Sequence, residues 1–462
     1  MTGATARHSP NALKDTATSA DALDRLLRGD YLDPDGGPPI AVPVKDVRIE
    51  RSLQDIEADL VAPLGLGRRL AVVSDPATRA VLGARVERAL SRLGTIVPVV
   101  LEPRPHADLA TAATLRRACG LADALVAVGS GTINDLCKFA AAKDGKPYVV
   151  FATAPSMNGY TSMNAAITVH GHKKTLPAST PLAVFMDLTI LAAAPARMIR
   201  AGLGDSLCRP TAQVDWLLSH HLLGTAYRGA PFEMLAEDEA VLLDAPEALL
   251  SGDLDAMRAL ARTLVLSGLG MTICGGSYPA SQGEHLISHC IDMFAPADRC
   301  DYFHGEQVAV ATLTMARIQE EVLAAGPPRL QPSPITGSVL RGRLGPDIGQ
   351  SCWREFEPKH LSDETAPPLT QRVASVWNDL GGHIRRASIP ASRLESIMKR
   401  AGGPTAPAEI GLAPDFYAAA VRNARFLRDR YTFLDLADDS GHLARLWPTG
   451  KTSPPWRGKS IG

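Results

Sequence analysis

From Arg69 to Ala152, short unbroken apolar runs alternate with longer stretches of helical period. The runs are Leu70 to Ser74, Ile96 to Leu101, Ala124 to Val128 and Tyr148 to Ala152. Between them, Thr78 to Leu93, Leu109 to Cys119 and Ile133 to Ala142 repeat their apolar residues as helices do. A strand that is apolar on every residue has no face to give to water. It belongs inside a sheet covered on both sides, and intervening helices make that sheet parallel. The first part of the chain is therefore predicted to be an open α/β layer, with Leu182 to Met186 as its last strand.

Beyond Pro195 the strand pattern fades. Met198 to Leu223, Leu235 to Leu250, Leu254 to Ile273, Ser281 to Met293 and Gln307 to Ala325 read as helices. Further helical patterns cover Leu369 to Leu380, Pro390 to Ala401 and Pro414 to Tyr431. The 462 residues thus divide into a flexible lead-in (1–30), an α/β domain (31–194), a helical domain (195–446) and a mobile tail (447–462). A Pro/Gly-rich stretch near 326–350 reads as a linker or surface excursion.

Composition narrows the function. Apolar residues are 45% and charged residues 21%, which excludes a disordered chain, and 48 basic against 49 acidic side chains give no pull toward nucleic acid. No run approaches the ~18 apolar residues of a membrane span, and Met1 to Asp30 lacks the apolar centre of a secretory signal. The seven cysteines are odd in number and form no CxxC pair, as expected of a cytoplasmic protein.

Two regions carry chemistry. Ala124 to Val128 runs into Gly129-Ser130-Gly131-Thr132-Ile133-Asn134-Asp135 and then a helix, a strand–turn–helix junction where backbone N–H groups can approach a phosphate. Asn134 stands where the dinucleotide fingerprint has its third glycine, so the turn taken alone is equally a tight connection. Asp75, after the first apolar run, is placed to accept from an adenosine ribose, or else to start the helix that Pro76 and Thr78 announce. The polar loop Thr153-Ala154-Pro155-Ser156-Met157-Asn158-Gly159-Tyr160-Thr161-Ser162 follows another strand and is expected to line a cleft. Gly450-Lys451-Thr452 ends like a P-loop but has no strand before it and is rejected.

The second region is a set of histidines. His285 and His289 lie four residues apart on one helical face, His304 begins the next helix, and Asp205 is read at a helix start. A carboxylate with two histidines leaves an open position on a divalent ion, the arrangement of a catalytic metal. Spacing alone leaves open whether Asp205 meets them. His8, His106, His360, His383 and His442 show no partner pattern and are expected in solvent.

Gly131 to Asp135, Thr153 to Ser162, Gly204-Asp205, Glu284-His285-Leu286-Ile287-Ser288-His289 and His304-Gly305-Glu306 occur in this order. Together they resemble the sn-glycerol-1-phosphate dehydrogenases, within the iron-containing alcohol dehydrogenase and dehydroquinate synthase-like superfamily. The resemblance covers about Asp46 to Ala325. It implies a Rossmann-like N-terminal domain, an all-α C-terminal domain and a site between them. It further implies that residues 131–135, 153–156 and Ser162 hold NAD or NADP, that Asp205, His285 and His304 hold one divalent ion (zinc first, with iron or nickel as alternatives), and that His289 faces the substrate. Asn158 stands where many relatives carry aspartate.

The activity so implied is a metal-dependent, nicotinamide-linked dehydrogenase of a small polyol phosphate, acting as a homo-oligomer. Asp205, His289 and Asn158 are its candidate catalytic residues, with His289 as proton relay. Lys173 and Lys174, after the strand Ala166 to His170, are either phosphate ligands, Lys174 foremost, or a solvated hairpin tip. The alternatives are a cyclase of the dehydroquinate synthase kind, which uses glutamate as acidic ligand and NAD only transiently, and a non-catalytic nucleotide-binding relative.

Overall fold

The computed structural model describes residues 21–295 and 302–447. Among the described residues are eight strands: β1 (Asp46–Glu50), β2 (Arg69–Ser74), β3 (Thr95–Val100), β4 (Ala124–Gly129), β5 (Tyr148–Ala152), β6 (Asn164–Val169), β7 (His172–Pro177) and β8 (Ala183–Asp187). Six form one parallel sheet in the order β1-β8-β5-β4-β2-β3, and β6 and β7 pair as an antiparallel hairpin. Every residue of β4, β5 and β8 is buried. Val72 packs into one apolar cluster and its neighbour Val73 into another, so both faces of the sheet are covered. That is the consequence of unbroken apolar strands.

β1 is absent from the sequence reading because it alternates. Val47 and Ile49 are buried while Arg48 and Glu50 are exposed, as befits an edge strand. The chain leaves β2 outward to β3 and returns to β4 on the other side. The crevice beyond the carboxyl ends of β2 and β4 is thus a topological switch point, where open α/β sheets receive ligands.

The helical layer departs from the sequence reading in three places. Met198 to Leu223 is two helices, Ala196–Ser206 and Arg209–Leu223. The break places Asp205 near a helix end rather than at a start. The Pro/Gly-rich stretch is not an excursion: it holds the helices Gly337–Leu344 and Pro346–Phe356, whose Leu340, Leu344, Cys352 and Phe356 are buried in the helical core. Gly345, at φ 89°, and Pro346 punctuate the two helices instead of dissolving them. Finally, residues 21–30 are not a loose lead-in, since Asp21 caps a helix, Ala22–Arg28, that buries Leu23 and Leu26. Residues 1–20 and 448–462, most of the expected lead-in and tail, lie outside the described residues.

His442 is buried and His360 packs beside Trp353 and Phe356, so these two are not solvent residues. All six described cysteines are free. Among the described residues no helix is long and apolar enough to cross a membrane.

Candidate active site

The β4 turn is built by close approach. A Cβ on Gly129 would lie 2.6 Å from Ile133, and one on Gly131 would lie 3.1 Å from Met157. The helix Gly131–Asp144 begins without a side-chain cap, leaving its first N–H groups for an anion. Ser130, Gly131, Thr132 and Asp135 line a cleft of about 280 Å³, as do Ser156 and Ser162 of the next loop.

The other expected nucleotide residues do not line it. Gly129 and Ile133 form the turn's packed underside, and Asn134 is fully buried with no partner for its amide. Thr153 donates from its backbone to Gly129 O, the Ala154 carbonyl accepts from Tyr160, and Pro155 lies against Gly202. These three frame the loop rather than face a ligand. Asp75 sits at the carboxyl end of β2 as a helix cap, its Oδ1 accepting from Thr78 N at 2.8 Å.

Lys138 is a site residue that the sequence reading missed. Its side chain is fully buried, and Nζ donates to Gly159 O at 2.6 Å, Ser162 Oγ at 3.0 Å and Asn164 O at 3.0 Å. Burial, opposed by Asp135, brings its pKa down to about 8. Lys138 ties the second loop to the helix of the first. Its only sequence signal is a cation one helical turn after Asp135.

Three glycines bring the metal-ligand candidates together. A Cβ on Gly202 would lie 1.6 Å from Pro155 O, one on Gly204 2.4 Å from Gly305 O, and one on Gly305 1.8 Å from Ala201 O. Backbone therefore meets backbone where the helix Ala196–Ser206 crosses the second loop and the start of the helix His304–Ala324. Asp205 Oδ1 comes to 3.4 Å from His285 Nε2 and 3.8 Å from His304 Nε2. Asp205 Oδ2 accepts from Asn158 N at 2.7 Å, whereas the fully buried Oδ1 has no hydrogen-bond partner.

An orphaned buried carboxylate oxygen facing two imidazole nitrogens fits a cation. The outer contacts agree. His285 Nδ1 bonds Glu284 Oε1 at 2.9 Å. Gln307 is oriented by its donation to Asp292, so Ser288 Oγ donates to Gln307 Oε1 and must accept from His304 Nδ1. Both rings thus direct a bare Nε2 inward once a metal replaces the proton on His285. Burial works against charge on His285, but Asp205 and Glu284 outweigh it and carry its pKa to about 9. Burial lowers the His304 pKa.

Asn158 and His289 also line the cleft. The Asn158 amide reaches Asp205 O at 3.4 Å, so it steadies the metal-ligand helix as well as facing the cavity. Arg428, unforeseen in the sequence, donates to His289 Nδ1 at 3.3 Å. That contact places the imidazole proton on Nε2, and burial, with Arg428 next, pushes the His289 pKa well down. In this geometry His289 is neutral and presents an Nε2–H toward the cleft. Lys173 lines the cleft, whereas Lys174 lines only an adjoining cavity. Both are in β7 and not at the hairpin tip, which is His170-Gly171.

Residues 48–195 match the family model for iron-containing alcohol dehydrogenase. A glycerol-1-phosphate dehydrogenase (NAD(P)+) of Bacillus licheniformis is 30% identical over 389 residues, 83% of this chain and 86% of that protein. The chain belongs to the glycerol-1-phosphate dehydrogenase family. A glycerol-1-phosphate dehydrogenase of Thermococcus sibiricus is 32% identical and aligns with 59% of this chain and 77% of its own length. Among solved structures, glycerol dehydrogenase from Schizosaccharomyces pombe shares the fold with a TM-score of 0.60 at 17% identity, over 93% of this chain and 97% of that one.

Proposed function

We propose that this chain is a metal-dependent, NAD(P)-linked dehydrogenase that interconverts a small polyol phosphate and its ketone, as between glycerol 1-phosphate and dihydroxyacetone phosphate. The observation that carries this reading is the orphaned Asp205 Oδ1 facing His285 and His304 in the same cleft as the Gly131 turn. Asp205, His285 and His304 would hold a zinc-like divalent ion, with iron or nickel fitting the same donors. When bound, such an ion stabilises developing charge on the substrate oxygen and the nicotinamide carries the hydride.

The chain's own residues do the positioning. Ser130 to Thr132 and Ser156 present donors to the nucleotide, while Ser162, whose hydroxyl accepts from Lys138 and donates to a backbone carbonyl, holds the second loop in shape. Glu284 and Ser288 hold the two histidine ligands in one orientation. The His289 Nε2–H is available to a substrate oxygen, and Asn158 orients a further hydroxyl or carbonyl. Met157, Met198, Met271 and Phe303 add apolar lining beside these groups, which strengthens the polar contacts by excluding water. A cyclase would carry glutamate as its acidic ligand, but the acid of this cluster is Asp205.

The same reading includes a cytoplasmic homo-oligomer, which light scattering on the purified protein checks. The activity is tested by NAD(P)H absorbance with dihydroxyacetone phosphate and other ketones, before and after chelation. Turnover that is lost on chelation and returns with a divalent ion is expected. Full activity without metal, or no turnover of any polyol phosphate by the loaded protein, overturns it.

A further inference from the structure

Arg428 comes from the far end of the chain, in the irregular segment after the 3-10 turn Ala424–Phe426. Its neighbours hold that segment against the cleft. Arg425 is buried among Asp435, Asp438 and Asp439. Arg430 stacks over Tyr278, bonds Ser277 Oγ at 3.0 Å and donates to the Ser281 carbonyl. Between these two anchors, Arg428 turns inward.

Its partners there are all neutral. One Nη donates to Ser281 Oγ at 3.0 Å; the other donates to Thr175 Oγ1 at 2.7 Å and His289 Nδ1 at 3.3 Å. Among the described residues no carboxylate comes within ion-pair distance of this guanidinium, in contrast to Arg425 three residues earlier. Burial and the adjacent Arg430 both work against its charge, and Glu284, Glu355 and Asp429 favour it from beyond ion-pair distance. A cation whose direct partners are all neutral acceptors has its electrostatic demand only partly met.

Arg428 also lines two cavities at once. One is the cleft with Asp205, His285 and His304. The other, of about 330 Å³, brings Lys173, Lys174, Arg428 and Arg430 opposite Glu355 and Asp429, so four cations face two carboxylates. Lys173, like Arg428, lines both cavities. Among the described residues its ion-pair partner is Asp292, 4.0 Å away.

We propose that Arg428, with Lys173 across the junction of the two cavities, receives the phosphate of the substrate while the substrate's carbon end lies at the Asp205–His285–His304 cluster. This assignment rests on the polyol-phosphate reading and gives it a specificity residue from a part of the chain where the sequence offered no site. A guanidinium carries five N–H donors, and Ser281, Thr175 and His289 use three of them, so two N–H groups and the positive charge remain for a phosphate dianion. Arg428 does a second thing there: by donating to His289 Nδ1 it fixes the tautomer that presents Nε2–H to the substrate.

The test compares kcat/KM for dihydroxyacetone phosphate and unphosphorylated dihydroxyacetone in the wild-type holoenzyme, Arg428→Gln and Lys173→Gln. The ratio of the two kcat/KM values is expected to fall about ten- to a hundredfold in Arg428→Gln, the range for losing a charged hydrogen bond, and by a smaller factor in Lys173→Gln. Inorganic phosphate should inhibit the wild type competitively against the phosphorylated substrate and inhibit both variants less. Added guanidinium should restore part of the ratio to Arg428→Gln. An equal loss on both substrates, with phosphate inhibition unchanged in Lys173→Gln, overturns the assignment. If Arg428→Gln fails to fold, the Lys173→Gln ratio and its phosphate inhibition decide alone. A wild type that does not favour the phosphorylated ketone refutes the polyol-phosphate reading itself, a separate outcome from either variant's.

Discussion

At the scale of the residue, two side chains separate a local role from a ligand role. Asp75 uses one oxygen to cap a short helix, and Arg79, which would blunt discrimination against a 2′-phosphate, is held by Glu87 through two bonds of 2.9 Å each. A carboxylate at the switch point would repel a 2′-phosphate, so a preference for NAD is the expected outcome. Asp75→Ser keeps a cap acceptor but removes the charge. The NADP-to-NAD ratio of kcat/KM is expected to rise by about tenfold, ~1.4 kcal/mol, with little change in melting temperature. An unchanged ratio with lowered stability would mean that Asp75 is only a cap. Asn158 poses the same question inside the site. Its backbone N–H, not its amide, holds Asp205 Oδ2, so Asn158→Asp keeps that bond and sets a carboxylate against the Asp205 carbonyl it now touches at 3.4 Å. Discrimination among polyols and polyol phosphates should change by about ten- to a hundredfold, matching ~1.5–3 kcal/mol for a charged hydrogen bond. Constant relative kcat/KM across a substrate panel would reduce Asn158 to a brace for Asp205.

At the scale of the element, the metal-ligand cluster depends on backbone approach that side chains would prevent. Gly305 precedes no cap and carries no chemistry, yet its Cα faces the Ala201 carbonyl so closely that a Cβ would sit 1.8 Å from the oxygen. Gly305→Ala must separate two helices that together carry Asp205 and His304. The expected cost is about 1–3 kcal/mol from overpacking, together with loss of bound metal measured by elemental analysis. Gly382→Ala is the control: nothing lies within 4 Å of its Cβ position in the helix Ala366–Ala387, so it should be neutral or slightly stabilising. Metal retained in full by Gly305→Ala would show that the close crossing is not what assembles the cluster. Such crossings explain which parts of the molecule were legible beforehand. Strands buried on both faces announce themselves by composition, and His285 and His289 share a face by spacing alone. Asp205 joins them only through tertiary contact, and Pro210, a helix-start signal, opens a second helix inside a stretch whose apolar period continues across the break. Gly345 and Pro346 misled in the opposite sense, since turn residues between two short helices resemble a linker when buried Leu340 and Phe356 are too few to show a period. Arg428 had no signal at all: a lone arginine becomes notable only when its neighbours prove neutral.

At the scale of the whole molecule, the cleft is closed by residues more than a hundred positions apart, with Thr175, Ser281 and His289 meeting Arg428. What keeps the last of these in place is the buried Arg425. Its guanidinium pairs with Asp435 at 3.0 Å, with Asp439 at 2.7 Å and with Asp438, and it stacks on Phe356 at 4.9 Å; Lys359 adds a second cation 3.0 Å from Asp435. Arg425→Met fills similar volume but leaves Asp435 and Asp439 buried against Lys359 alone. Breaking one side of a buried ion pair costs about 3–5 kcal/mol, and denaturant unfolding should show a loss of that size. The loss carries a pH signature. Burial already raises the Asp439 pKa to about 6, with Arg425 opposing the rise. A carboxyl whose native pKa lies above its unfolded value of about 3.9 is held more tightly as an acid in the native state. Its contribution is therefore lost as pH rises through about 6. Without Arg425 the Asp439 pKa climbs further and the variant keeps losing stability over a wider range above that point. The stability gap between wild type and Arg425→Met should consequently be widest near neutral pH and narrow as the solution is acidified toward pH ~5, where the Asp439 carboxyl takes up its proton. The same variant should lose preference for the phosphorylated substrate, because Arg428 stands three residues from the anchor. A gap of constant size across that pH range would mean that Arg425 contributes packing against Phe356 rather than charge.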